Sequence, residues 1–183
     1  MRKAVFLERD GILNVEREIR GQPMPPLAIE QLSHNPQAIE PLLHLKAAGY
    51  LLLVTTNQPW VSRGVLPRRE LDLMHSLLRR TFSLDDFFVC PHDTSEFCPC
   101  RKPKAGLFVE AAQKWKLDLE SCIVISNKWQ DDEAAKKIRC TSILIDSPWL
   151  GSGKREIVVP QLADAIKKLG LHPPFQSRYV DAA

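Results

Sequence analysis

The sequence has no long apolar run, few glycines and little net charge, and each shortage makes a class of protein less plausible. Its longest uninterrupted apolar run, residues 50–54, is far shorter than the ~20 residues that cross a bilayer. The 25 lysines and arginines face 22 acidic residues, without the basic excess of nucleic-acid-binding proteins. Eight glycines beside 14 prolines favour stiff connections over flexible linkers. We therefore expect no membrane association and no nucleic-acid partner.

The sequence also lacks an even number of cysteines and an N-terminal secretory pattern. Five cysteines cannot all pair with one another, and residues 1–3 lead directly into a strand-like segment. We therefore expect a cytoplasmic protein whose cysteines are thiols or metal ligands.

The composition that remains is that of one folded domain: 183 residues, 44% hydrophobic and 26% charged. Short apolar runs, which predict strands, alternate with amphipathic segments, which predict helices. The predicted strands are 3–8, 50–55, 86–90, 122–126 and 142–145, and the predicted helices are 36–49, 67–81, 105–115, 130–138 and 159–169. This order predicts an α/β fold: a doubly wound, mostly parallel, five-stranded Rossmann-like sheet with helices on both faces. We assign residues 1–183 to this single domain.

Two segments do not follow this alternation. Residues 15–35 are irregular and rich in proline, and we expect them to form a loop or flap over the functional site. Residues 172–183 have a weak pattern, and we expect a frayed tail. Four histidines without partners at metal-ligand spacing are expected at the surface or as caps: His34, His44, His75 and His172.

Polar residues follow the predicted strands, at the edge where such sheets bind ligands. They are Glu8, Asp10, Thr55, Thr56, Asn57, Arg101, Lys102 and Asn127. Carboxylates can hold Mg²⁺, while a cation and hydroxyl or amide donors can hold phosphate oxygens. The set predicts a metal-assisted phosphoryl site, and whether Thr55 or Thr56 faces it stays open.

Four potential metal ligands occur together in the loop of residues 90–100, the zinc loop: Cys90, His92, Cys98 and Cys100. Two ligand pairs separated by five residues form a tetrahedral zinc pattern, and a site with four protein ligands is structural. We predict a structural Zn²⁺ that orders this loop.

Four motifs occur in order at the strand ends: FLERDGILN, TTNQ, CPHDTSEFCPCRKPKAGL and VISNKWQDDEAA. Together they resemble the motifs of the haloacid dehalogenase superfamily, and more narrowly its capless histidinol-phosphatase-like branch. The resemblance covers residues 4–145. It implies a Mg²⁺-dependent phosphomonoesterase.

The resemblance also implies a role for each site residue. Glu8 stands at the position of the nucleophile, which forms an acyl-phosphate. Asp10 protonates the leaving oxygen and then activates water. Thr56 donates to the phosphoryl group, and Lys102 neutralises its charge. The substrate-binding positions are Asn57, Arg63 and Arg101, and the magnesium positions are Glu8, Asp10 and Asn127.

Two positions depart from the family pattern at the chemistry itself. The nucleophile position holds Glu8 instead of Asp. The extra methylene displaces the carboxylate by ~1.5 Å, and a ~1 Å misplacement can cost ~10²-fold in rate. The metal position holds Asn127 instead of Asp, which removes a negative charge. We therefore expect little or no family activity.

Three functions stay open. The first is a phosphatase of a sugar phosphate such as D-glycero-D-manno-heptose 1,7-bisphosphate, with weak or lost activity; residues 104–107 resemble that group. The second is a histidinol-phosphate phosphatase, in which the short spacing of the zinc loop also occurs. The third is an inactive domain that binds a phosphorylated ligand or a partner protein. We expect a monomer that binds a small phosphorylated metabolite.

Overall fold

Strand β1 (Ala4–Leu7) lies at the centre of the fold and is completely buried. In the computed structural model, which describes residues 2–171, parallel strands flank it on both sides. The expectations for the tail 172–183 and for His172 lie outside the described residues. The other strands are β2 (Arg17–Ile19), β3 (Gln22–Met24), β4 (Leu51–Asn57), β5 (Asp86–Cys90), β6 (Ile123–Ser126), β7 (Thr141–Ile145) and β8 (Val158–Val159). The α-helices are α1 (Ile39–Ala47), α2 (Arg68–Phe82), α3 (Gly106–Trp115), α4 (Trp129–Lys137) and α5 (Leu162–Lys168).

The register of the sheet aligns the strand ends. The order β5-β4-β1-β6-β7-β8 places β4 and β6 on either side of β1, and neighbouring strands run parallel. Leu7, the last residue of β1, pairs with Val54 of β4 and with Ile125 of β6. The polar residues that follow these positions therefore emerge side by side, although they are far apart in the sequence.

Alternate residues of β1 point into two helix layers. Val5 and Leu7 belong to the core that includes α1, α2 and α5, whereas Ala4 and Phe6 belong to the core that includes α3 and α4. Phe6 meets Phe108 of α3 edge to face, with ring centroids 5.0 Å apart. A strand that is buried on both faces has a continuous apolar run in its sequence. The doubly wound α/β fold predicted from those runs is confirmed.

The helix boundaries follow local chemistry. Gly49, just after α1, adopts a φ of 81°, a left-handed conformation that glycine takes without strain. Helix α2 buries Leu71, Met74 and Leu78, spaced so that they share one face.

Among the helices of residues 2–171, none combines the length and the apolar composition of a membrane span.

The sheet contains six strands within the described residues, one more than the five predicted. The additional strand, β8, has two residues and pairs with β7. A two-residue apolar stretch is too short to be predicted as a strand from the sequence. Strand β8 is defined only by its hydrogen-bonded pairing with β7.

Residues 15–35 were expected to be irregular, but they contain the antiparallel hairpin of β2 and β3. Arg20 and Gly21 form its turn, with φ of 54° and 72°, the left-handed pair that a two-residue hairpin requires. Strand β2 is exposed and β3 partly so, so the apolar alternation that marks a half-buried strand is missing.

Candidate active site

The carboxyl ends of β1, β4 and β6 border a cavity of about 210 Å³. Its charged lining residues are Glu8, Asp10, Glu16, Arg101, Lys102, Lys128 and Asp131. Pro23 and Pro25, from residues 15–35, also line it. Segments between residues 8 and 131 that are far apart in the sequence thus contribute to one site with both acidic and cationic side chains.

Glu8 is buried, and hydrogen bonds engage both of its carboxylate oxygens. Oε1 accepts hydrogen bonds from the Arg9 backbone N–H and the Thr56 hydroxyl, each at 2.7 Å, and from the Asp10 N–H at 3.4 Å. Oε2 accepts a hydrogen bond from Lys102 Nζ at 2.6 Å. The Glu8 side chain therefore folds back onto its own strand end and uses donors that could otherwise hold an anion.

Lys102 is a buried ammonium, 2% exposed, between two carboxylates. Its Nζ donates to Glu8 Oε2 and to Asp131 Oδ1, both at 2.6 Å, and to the Thr55 carbonyl at 2.7 Å. Burial alone would lower the pKa of Lys102, but Asp131 and Glu8 raise it. Burial raises the pKa of Asp131 to about 6, and the charge of Lys102 opposes this rise. Lys102 thus stays charged beside Glu8.

Asp10 accepts hydrogen bonds from three side chains. Arg9 donates through Nε at 3.0 Å and through Nη2 at 3.1 Å. Gln58 Nε2 donates at 2.7 Å and Asn14 Nδ2 at 3.1 Å. Burial alone would raise the pKa of Asp10, but the charges of Arg9 and Lys128 bring it below its ordinary value. The structure therefore holds Asp10 as an oriented carboxylate.

Arg9 is fully buried, and His75 forms part of its surroundings. His75 Nε2 accepts a hydrogen bond from Arg9 Nη1 at 3.4 Å, and the imidazole stacks on Phe87 at 4.4 Å between centroids. Burial, together with the charge of Arg9, lowers the pKa of His75 to about 3. The expectation of a surface or capping His75 was wrong because its ring backs the guanidinium that orients Asp10.

Asn127 and Glu16 contact each other beside Gly11, in the loop that follows β1. Asn127 Nδ2 donates to Glu16 Oε2 at 3.3 Å, and Lys128 Nζ donates to the same carboxylate at 2.6 and 2.8 Å. Burial raises the pKa of Glu16, and the charge of Lys128 opposes the rise. Gly11 packs closely here, since a Cβ at that position would collide with the Asn127 amide.

The donor set suits a hard divalent cation. Asn127 is 6% exposed, and its Oδ1 is buried without a hydrogen-bond partner. Glu8, Asp10 and Glu16, three residues with carboxylate oxygens, line the neighbouring cavity. Oxygen donors are the ligands that Mg²⁺ prefers, and a buried amide oxygen without a partner is a group that a cation would satisfy.

The structure also distinguishes between the two threonines of β4. The Thr56 hydroxyl donates to Glu8, whereas Thr55 Oγ1 is buried without a partner. The Asn57 amide forms hydrogen bonds with both backbone groups of Lys102. Its Nδ2 donates to the Lys102 carbonyl, and its Oδ1 accepts from the Lys102 N–H, each at 3.1 Å. Asn57 therefore positions the lysine as well as lining the cavity.

The two predicted arginines occupy different places. Arg101 lines the cavity, and its Nη1 donates to the His92 carbonyl at 3.0 Å. Arg63 is not among the residues that line the cavity; it forms an ion pair with Asp93 and lies over the Trp60 ring, 4.9 Å from its centroid. The structure thus brings Arg101, but not Arg63, to the other predicted site residues.

The ligand atoms of the zinc loop converge: those of Cys90, His92, Cys98 and Cys100 all lie within 4.8 Å of one another. The measured contacts range from 3.3 Å (His92 Nδ1 to Cys100 Sγ) to 3.7 Å (Cys90 Sγ to His92 Nδ1). A zinc tetrahedron with ~2.3 Å bonds to sulfur has edges of ~3.8 Å. These four residues could therefore hold one metal ion.

A second cavity, of about 500 Å³, adjoins the first and shares Arg101, Lys102 and Gln130 with it. Its walls carry two aromatic rings that face solvent, Phe97 at 85% and Trp129 at 38% exposure. Lys104 and Lys137 also line it, donating to backbone carbonyls and forming no ion pair with any carboxylate of residues 2–171. This groove is basic and partly aromatic.

Sequence reasoning missed four contributors to the site: Arg9, Gln58, Glu16 and Lys128. Three of them stand inside the motifs quoted above, where an arginine between two acids was a usable signal of a buried ion pair. Glu16 lies in the segment expected to cover the site, but no spacing rule pointed to it.

The parallel sheet and its strand-end residues define a class of protein, the haloacid dehalogenase-like hydrolases. The model of that family matches residues 6–139. The chain belongs to this family.

Among its relatives are the D-glycero-β-D-manno-heptose-1,7-bisphosphate 7-phosphatases. The enzyme of Pasteurella multocida (strain Pm70) is 33% identical over 183 residues, covering 91% of this chain and 96% of its own. That of Helicobacter pylori (strain J99) is 34% identical over 154 residues, covering 80% and 85%. The crystal structure of a D,D-heptose 1,7-bisphosphate phosphatase from B. bronchiseptica, complexed with magnesium and phosphate, has a TM-score of 0.79 at 23% identity, covering 92% of this chain and 98% of its own. The homologues are thus phosphatases of a sugar bisphosphate.

Proposed function

We propose that the chain is a Mg²⁺-dependent phosphomonoesterase of a sugar phosphate such as D-glycero-D-manno-heptose 1,7-bisphosphate, with its activity weakened. The observation that carries the proposal is the convergence of a carboxylate pair, a hydroxyl and a buried ammonium: Glu8, Asp10, Thr56 and Lys102. Homology to heptose bisphosphate phosphatases supports the same reaction class.

Each residue has a defined task in this reaction. A Glu8 oxygen attacks phosphorus as the bond to the sugar oxygen breaks. Asp10, which is a carboxylate in the structure and must first take up a proton from solvent, gives that proton to the departing sugar oxygen. Asp10 then takes a proton from the water that hydrolyses the acyl-phosphate on Glu8 and releases phosphate. Thr56 and Lys102 hold the phosphoryl oxygens. A Mg²⁺ held by Glu8, Asp10 and Asn127 would neutralise charge on the phosphoryl group.

The weakness follows from the length of the Glu8 side chain. Its carboxylate accepts from the Thr56 hydroxyl and from Lys102, the two donors assigned to the phosphoryl group. Substrate phosphate must displace Glu8 from these donors before the same carboxylate can attack. The side chain thus competes with the group that it is meant to attack.

The second cavity supports a substrate with more than one phosphate. It joins the carboxylate cavity through Arg101, and Lys104 and Lys137 add positive charge beyond it. A sugar whose reacting phosphate lies at Lys102 can extend its other phosphate into this groove, while Trp129 offers an apolar face to the ring.

The zinc loop connects the fold to this chemistry. A structural Zn²⁺ bound by its four ligands would fix the loop immediately before Arg101 and Lys102. The reduced cysteines of such a site agree with a cytoplasmic location.

Phosphate release tests the proposal. Heptose 1,7-bisphosphate and histidinol phosphate are each incubated with Mg²⁺ and either the wild type or the Glu8→Asp, Asn127→Asp double variant. The wild type should act on the heptose bisphosphate more than tenfold below a typical enzyme rate of ~10 s⁻¹, and the double variant should be faster. Wild-type turnover near ~10 s⁻¹ contradicts the weakening. Binding of phosphate without release by either protein favours an inactive phosphate-binding domain.

A further inference from the structure

Glu16 stands beside the position at which the predicted magnesium site lost a negative charge. Its carboxylate accepts a hydrogen bond from Asn127 Nδ2 at 3.3 Å, and its side chain is 10% exposed. It also adjoins the loop that follows β1, because a Cβ on Gly11 would lie 2.7 Å from Glu16 Oε2. The Glu16 carboxylate therefore lies next to Gly11 and Asn127, and it lines the same cavity as Asp10.

A second observation points to a cation at this place. The Asn127 amide turns its nitrogen to Glu16, and its Oδ1 is left buried without a partner in a side chain that is 6% exposed. Buried carbonyl oxygens normally have a partner. The amide oxygen and the Glu16 carboxylate are both oxygen donors suited to Mg²⁺.

We propose that Glu16 supplies the negative charge that Asn127 lacks, so that Glu8, Asp10, Asn127 and Glu16 together bind a divalent cation. This inference rests on the proposed function and attributes the weakened activity mainly to Glu8. Glu16 compensates for the negative charge lost at Asn127, whereas nothing compensates for the longer side chain of Glu8. Lys128 Nζ, 2.6 Å from Glu16 Oε1, positions the carboxylate and competes with the cation for it.

Calorimetric titration of the full chain with Mg²⁺ alone tests this proposal without any assay of activity. Glu16→Gln should weaken Mg²⁺ binding by about tenfold or more, since affinity at oxygen sites follows the number of ligand charges. Asn127→Asp should tighten it, and Glu16→Gln with Asn127→Asp should return it to about the wild-type value. Glu18→Gln, an equal charge change on exposed β2, is the matched control and should leave the affinity unchanged. Circular dichroism verifies the fold of each variant.

A role for Glu16 in fixing Lys128 alone gives a different pattern. Glu16→Gln would then lower the melting temperature without weakening Mg²⁺ binding. That result, or a wild type without measurable Mg²⁺ affinity, overturns the proposal. Failure of the proposed function is distinguishable, because no variant would release phosphate although the expected order of Mg²⁺ affinities was present.

Discussion

Shortening one side chain, Glu8→Asp, should restore much of the missing catalysis. In the structure the Glu8 carboxylate accepts from the Arg9 N–H and the Thr56 hydroxyl at 2.7 Å and from Lys102 at 2.6 Å. Removal of one methylene withdraws the carboxylate by ~1.5 Å. It then cannot reach all of these donors, and Thr56 and Lys102 become available to a phosphoryl group.

The magnitude follows from the sensitivity of catalysis to position. A misplacement of ~1 Å costs ~10²-fold, so Glu8→Asp should raise kcat/KM by about that factor, or ~2.7 kcal/mol of transition-state stabilisation. The same variant should bind inorganic phosphate more tightly, because the competing carboxylate has left its donors. Phosphate release from heptose 1,7-bisphosphate measures the first effect, and product inhibition measures the second.

The control is Glu18→Asp, the same shortening on the exposed strand β2, which should change neither quantity. A folded Glu8→Asp protein that binds Mg²⁺ yet gains less than about threefold in kcat/KM would refute the reasoning. The cause of the weakened activity would then be another feature of the site, and the hydrogen bonds of the Glu8 carboxylate to Thr56 and Lys102 would not limit catalysis.

Three further predictions address the metal loop, the buried histidine and the basic groove. Purified protein should contain about one zinc per chain, and its removal by a strong chelator should lower the melting temperature by ~10 °C or more, since structural zinc contributes to folding; zinc-free protein of equal stability would contradict this. His75 has a pKa of about 3, below its unfolded value of 6.5, so the unfolded state binds more protons and stability falls as pH drops below ~6.5. Urea unfolding should therefore show that the free energy of unfolding of the wild type falls by ~1.4 kcal/mol per pH unit relative to His75→Phe between pH ~6 and ~4.5. Parallel profiles for the two proteins would show that folding does not lower the pKa of His75. Lys137→Met in the Glu8→Asp background should raise KM for heptose 1,7-bisphosphate several-fold more than for heptose 7-phosphate, and equal changes would remove the second phosphate from the groove.

Much of the fold could be predicted because its strands are buried on both faces. The runs ending at Leu7, Val54 and Ile125 are apolar without interruption, which distinguishes them from the helices around them. Elements with few apolar contacts have no continuous apolar run from which they could be predicted. Strand β8 is defined by pairing with β7, and the hairpin of β2 and β3 by a left-handed turn between polar strands.

The composition of the candidate site could be predicted better than its contacts. Glu8, Asp10 and Lys102 follow from strand ends, which the parallel register brings together. The sequence could not show whether the hydroxyl of Thr55 or that of Thr56 contacts Glu8, because neighbouring residues of a strand point to opposite faces and the motif does not fix which face is which. Nor could the sequence show which of the two flanking acids, Glu8 or Asp10, pairs with Arg9, because the direction of the Arg9 side chain depends on its packing against His75.

Much depends on the claim that Glu8, Asp10, Thr56 and Lys102 form a phosphate site whose donors Glu8 now occupies. A crystal structure of the wild type grown with Mg²⁺ and phosphate tests that claim most directly. We expect phosphate within hydrogen-bond distance of Thr56 Oγ1 and Lys102 Nζ, with the Glu8 carboxylate displaced from both. Phosphate bound away from these two atoms, or an unchanged Glu8 beside a fully bound anion, would contradict the account.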